Sequence, residues 1–240
     1  MKRALVAMIF ATALDASDLL AESPVPLVNC PISSLRPTMG GQFSEGFWRD
    51  AADLGPFLRA DGLGLPTAPT RARVARTGEA LCIGVECLEP RMDRLIAQKR
   101  DRDGQLWPDD CVEVFVQRPG QEYLHFIVNP LGAQFDEKGK DSRWNAEWQA
   151  ATSRGKGRWS VELALPWKAL GGTPKSRSTP LAAVILPSGA TRFGLAHRPE
   201  RVEGLLGSQP EAGTISVWAR PSFNPEGSEF GDRPGMPGWP

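Results

Sequence analysis

The segment Trp107-Pro108-Asp109-Asp110-Cys111-Val112-Glu113-Val114 gathers an indole, a pair of carboxylates and a further carboxylate into one short stretch. Val112, Val114 and Val116 alternate with Glu113, and a second apolar run, Tyr123 to Asn129, alternates in the same way. Side chains of a strand point to opposite faces in turn. Two neighbouring strands of this pattern therefore bury Val112, Val114, Val116, Leu124, Phe126 and Val128 together. Glu113 then shares the other face with Tyr123, His125, Ile127 and Asn129. An aromatic plate beside a carboxylate and an amide suits a sugar: a pyranose stacks its carbon-bearing face on the ring, and its hydroxyls take charge-assisted hydrogen bonds. A surface face that happens to be polar has the same composition. His125, placed by parity on the exposed face near Glu113, either orients that carboxylate or is a plain surface histidine.

The elements that must position these groups are short strands. The pattern predicts strands at about 70–77, 80–88, 111–117, 122–129, 132–136, 145–152, 158–165, 191–198 and 214–218. Turn-rich connections join them, such as Arg118-Pro119-Gly120 between the two central strands. Trp48, Ala51 and Leu54 fall at helical spacing within Phe47 to Leu58, which predicts one short helical turn with Trp48 in the core. Residues 171–190 read as a loop or small insertion. Prolines at 234, 237 and 240 prevent the tail from closing a sheet, because they remove ladder donors.

A chain of 240 residues can bury one good-sized core and favours one domain. Its 22 prolines and 25 glycines suit many strands joined by turns. With 28 acidic and 28 basic residues and no basic stripe interleaved with aromatics, nucleic acid is excluded as a partner. Lys2 and Arg3, the apolar run Ala4 to Leu14, and small residues at Ala16 and Ala21 read as a secretory signal over residues 1–21, cleaved near 16 or 21. That run is too short to span a bilayer. The expectation is a mature domain at 22–240, secreted or periplasmic, without a membrane span. Four cysteines in an exported chain allow disulfides, and Cys87 and Cys111 lie at strand ends that antiparallel pairing could join. Free buried cysteines are the alternative.

The stretch from about Trp48 to Phe230 resembles the family 9 carbohydrate-binding modules and their wider β-sandwich relatives. The strongest piece is the Trp-x-x-Asp-x-Val-Glu-x-Phe pattern at Trp107 to Phe115. Trp48-Arg49-Asp50-Ala51, Leu81 to Val85, Val128-Asn129-Pro130-Leu131-Gly132-Ala133 and Trp159 to Trp167 follow in the family's order. The resemblance implies an all-β, antiparallel, jelly-roll-like sandwich. It also implies a site in which two aromatics sandwich a sugar while a Glu, an Arg and an Asn bond its hydroxyls. Trp107 matches the first aromatic, Glu113 the Glu and Asn129 the Asn. Ile127 stands in the Arg position, and Phe223 is the nearest candidate for the second aromatic, one residue out of register.

Other constellations carry less. A glycosidase needs two carboxyls facing each other across a bond, whereas neighbours Asp109 and Asp110 point to opposite faces and Glu162 is not placed by the sequence. Asp101-Arg102-Asp103-Gly104 reads as an Asp-capped turn, since the twelve-residue calcium pattern is absent. Structural calcium, which related modules hold, stays open without assigned ligands. Haem ligation through a Met and a His has no pairing signal among Met39, Met92, Met236, His125 and His197. Trp144, Trp148, Trp159 and Trp167 read as core or rim, with Trp144 the one set apart in a loop. The function implied is monomeric, non-catalytic binding of a plant-type polysaccharide or oligosaccharide through Trp107, Glu113, Asn129, His125 and Phe223, in support of glycoside hydrolases. The alternative is a structural or protein-binding sandwich that has lost the sugar site.

Overall fold

The computed structural model describes residues 27–42, 46–55, 57, 68–98, 101–106, 108–118 and 120–173, with the backbone of 181–188 and 215–216. In chain order the strands are β1 (Leu27–Val28), β2 (Ala52–Leu54), β3 (Thr70–Arg76), β4 (Ala80–Leu88), β5 (Cys111–Gln117), β6 (Leu124–Val128), β7 (Gln134–Lys138), β8 (Gln149–Gly155), β9 (Arg158–Pro166), β10 (Leu181–Ser188) and β11 (Ile215–Ser216). They form a six-stranded sheet in the order β1-β11-β10-β5-β6-β7 and a five-stranded sheet in the order β2-β3-β4-β9-β8. Every pairing is antiparallel except β10 with β11. The antiparallel β-sandwich expected from the sequence is the fold observed.

The core lies between the sheets and follows the period-two pattern. Val112, Val114 and Val116 of β5 and Leu124, Phe126 and Val128 of β6 meet Leu81, Ile83 and Val85 of β4 and Val161, Leu163 and Leu165 of β9. In β5 and β6 the valines and Phe126 stand directly opposite one another, as the matched parity requires. Trp148, Trp159 and Trp167 belong to this core, and Trp144 packs edge-on against Phe126 at its rim.

Several local expectations change. The short helix is a 3-10 turn, Gly46–Asp50, and Leu54 lies in a strand instead, paired with Ala72. The segment read as a loop contains β10, which pairs with β5 from Ala182 to Ser188. Its run Leu181-Ala-Ala-Val-Ile-Leu is uniformly apolar, so it carries none of the polar–apolar alternation that marks a half-exposed strand. Third, β7 runs two residues beyond the expected end, to Lys138. Of the two alternatives for the cysteines, the free one is observed: Cys87 points into the core, whereas Cys111 belongs to a separate apolar cluster, so the two do not join. The expected strand at 191–198, the leader and the tail fall outside the described residues. No helix among the described residues is long and apolar enough to cross a membrane.

Candidate functional site

Glu113 and His125 come together on the side of the six-stranded sheet that faces away from the core. Glu113 pairs with Ile127 and Phe115 with His125, so the imidazole lies diagonally across from the carboxylate, within reach of a long side chain. His125 Nε2 is 2.9 Å from Glu113 Oε2, and Nδ1 is 3.0 Å from Glu137 Oε1 on β7. The ring stacks on Phe115 with centroids 3.8 Å apart and planes 13° from parallel. Phe135 meets it edge-on at 6.2 Å. Burial pulls the imidazole toward its neutral form. The hydrogen bonds and charges of Glu113 and Glu137 outweigh that pull, so His125 is held above the usual histidine range. Among the described residues Glu113 has no hydrogen-bond partner besides His125, which leaves Oε1 as an acceptor.

Asn129 sits on the same face, at the end of β6. Its Nδ2 donates to Asp109 Oδ2 at 2.8 Å, and its Oδ1 accepts the Leu131 and Ala133 N–H groups, each at 3.0 Å. The side chain thus orders the Pro130-Leu131-Gly132 turn, in which Gly132 takes a φ of 79° that favours glycine. Asp109 Oδ2 also accepts the Gln98 N–H, and Asp110 Oδ2 accepts the Ile96 N–H. The paired carboxylates at the mouth of β5 therefore latch the 95–98 segment to the sheet.

Parity places these groups on the correct side, but His125 is not on an exposed face. Glu113 and His125 are each 1% exposed and Asn129 is fully buried. Leu106, Cys111, Ile127, Ala133 and Phe135 form a second apolar cluster there. Ile127 is part of that cluster, directly opposite Glu113. Trp107 and Phe223 lie outside the described residues. The sequence reading missed Glu137, whose signal was present: Phe135 and Glu137 continue the parity of Ile127 and His125, one strand further along.

The outer side of the five-stranded sheet holds a second buried carboxylate, Glu162 on β9. Its Oε1 accepts the Trp48 indole N–H at 2.7 Å and its Oε2 accepts the Gly41 N–H at 2.8 Å. Trp48 is fully buried there with Phe47, Ala75 and Cys82, so the expectation of a core role is met on a satellite cluster. Ser160 Oγ donates to the Gly41 carbonyl. Glu162 is thus on the other sheet from Asp109, Asp110 and Glu113 and does not face them. Among the described residues no three His, Cys, Asp or Glu side chains are grouped to hold a metal ion. The Asp101–Gly104 segment is a turn closed by the Gly104 N–H on the Asp101 carbonyl. Carboxylates occupy both ring nitrogens of His125, so it offers none to a haem iron.

No protein-family model and no curated protein matches the sequence. Among solved structures, the chain is similar to a family 9 carbohydrate-binding module from Caldicellulosiruptor kristjanssonii in complex with cellotriose. The TM-score is 0.52 at 14% identity, over 88% of this chain and 99% of that one. A family 9 module from the same organism, in complex with glucose, aligns at a TM-score of 0.49 and 15% identity over 65% of this chain and 74% of that one. The likeness is one of fold: the chain is a β-sandwich of the type that family 9 carbohydrate-binding modules use.

Proposed function

We propose that this chain is an exported, non-catalytic carbohydrate-binding protein with its ligand against the non-core side of β5 and β6. Trp107 stacks on a pyranose face, with Phe223 as the second aromatic, and Glu113 accepts a hydroxyl through Oε1. His125 and Asn129 hold the polar framework. The observation that carries this reading is the state of Glu113: one oxygen bound by His125, the other left as an acceptor, six residues after Trp107 in the sequence. The sandwich fold supports it, as does the ordered resemblance from Trp48 to Phe230. A plant-type polysaccharide or oligosaccharide is the ligand class, the mature domain spans 22–240, and the protein acts as a monomer beside glycoside hydrolases.

A second reading is a structural or protein-binding sandwich. The closure of the Asn129 amide on Asp109 and its own turn favours it, as does Ile127 in place of a guanidinium. A screen of the mature protein against cello- and xylo-oligosaccharides and insoluble polysaccharides separates the two. Saturable binding to one sugar class supports the first reading, and none to any supports the second.

A further inference from the structure

Glu137 and His125 face Glu113 in an arrangement that needs a particular proton count. A neutral imidazole has one N–H, so it donates to one carboxylate and turns a lone pair toward the other. An imidazolium donates to both. With ring nitrogens 2.9 Å from Glu113 and 3.0 Å from Glu137, the geometry is that of a carboxylate–imidazolium–carboxylate clasp. The charged groups facing the ring are Glu113 from β5 and Glu137 from β7; its other neighbours, Phe115 and Phe135, carry no charge. Ile127, paired with Glu113 on β6, and Leu186, paired with it on β10, bring no cation. Among the described residues His125 is thus the cation paired with Glu113.

We infer that His125 and Glu137 are positioning residues for the sugar site: together they hold Glu113 in one orientation, and carbohydrate affinity depends on the imidazole staying charged. This rests on the reading of Glu113 as a ligand contact. Glu137, behind the histidine, touches no ligand. It holds the proton on His125, and the charged ring fixes Oε2 of Glu113 so that Oε1 keeps one direction. When the ring loses its proton, one of the two carboxylates loses its donor and Glu113 is freed to turn.

Two arms test this on the full mature chain. Nitrogen NMR of the imidazoles is simple because there are two histidines, His125 and His197. It is expected to show both nitrogens of His125 protonated at neutral pH. The titration midpoint should lie above the usual range and fall in Glu137→Gln, which keeps an acceptor but removes the charge. Calorimetry with cellotriose and xylotriose across the same titration is expected to show affinity falling about tenfold as His125 deprotonates, the size of one charge-assisted hydrogen bond. The fall should begin at lower pH in Glu137→Gln. A neutral His125 at pH 7 overturns the clasp. Binding that Glu113→Gln abolishes, yet is flat with pH in the wild type, overturns the positioning role and leaves the sugar reading intact. No binding at any pH, with both nitrogens protonated, overturns the sugar reading and the clasp's part in it.

Discussion

Among the described residues each sheet sends one fully buried glutamate away from the core, Glu113 and Glu162, but different donors hold them. Glu162 accepts from an indole and a backbone amide, Trp48 and Gly41. Glu113 accepts from an imidazole that has Glu137 behind it. Neutral N–H donors keep their protons at any ordinary pH, so the Glu162 clamp is permanent. The Glu113 clasp depends on an imidazole, a group that can lose its proton and that the two carboxylates hold above the usual histidine range. Glu162 is also satisfied at both oxygens, whereas Glu113 keeps one oxygen uncommitted among the described residues. Of the two buried glutamates off the core, Glu162 is therefore hydrogen-bonded at both oxygens and Glu113, among the described residues, at one.

The largest effect that would break this contrast is expected at Gly41. Its φ is 76°, and a Cβ built there would lie 2.4 Å from the Thr152 carbonyl carbon and 2.7 Å from the Ser153 nitrogen, both backbone atoms. Gly41→Ala must lift the loop off β8 and strip Glu162 of one donor. It should cost about 3 kcal/mol in urea unfolding. A loss within the usual surface range would mean that the loop is not clamped.

Glu162→Gln comes next. The amide keeps one acceptor but turns its NH2 toward either the indole or the Gly41 N–H, leaving a buried donor unsatisfied. A loss of about 2 kcal/mol is expected, equal at pH 6 and pH 9 because the indole and backbone N–H donors keep their protons across that range. A loss that varies across that range would show that the clamp is not the permanent one described.

A smaller, pH-dependent effect is expected on the other sheet. The folded His125 binds its proton more tightly than the unfolded one, since the two carboxylates outweigh its burial. The clasp's contribution to stability is therefore complete below about pH 6.5, the unfolded value, and is lost as the pH rises through the raised folded value. The stability difference between wild type and His125→Gln, followed by urea unfolding, should shrink toward alkaline pH. A constant difference would make the histidine a packing residue on Phe115 and nothing more.

Much of the framework was legible before the structure. The alternation of Val112, Val114 and Val116 with Glu113, and of Leu124, Phe126 and Val128 with His125, sets which face each residue takes, because a one-residue slip would move every side chain to the other side. Exposure was not legible. Parity separates core side from outer side but does not say what packs on the outer side, and here Leu106, Cys111, Ile127, Ala133 and Phe135 do. Partners across strands were legible only where the strand ends were right. Ending β7 at residue 136 hid Glu137, and so hid the second carboxylate on His125. The partners of Glu162, 114 and 121 residues away along the chain, carry no local signal at all. β10 escaped because its run Leu181 to Leu186 is uniformly apolar and carries none of the alternation that marks a half-buried strand.

The most direct test is calorimetry of the mature wild-type protein and Trp107→Ala against cello- and xylo-oligosaccharides, with circular dichroism confirming that both fold. An aromatic anchor that stacks on the sugar and excludes water typically contributes about 2 kcal/mol or more. Trp107→Ala should therefore weaken binding roughly 30-fold with an unchanged spectrum. Glu113→Gln should lose about 1.5–3 kcal/mol through its charged acceptor. If wild type and Trp107→Ala bind a confirmed sugar equally well, the ligand does not lie on the β5–β6 face, and the proposed site is wrong.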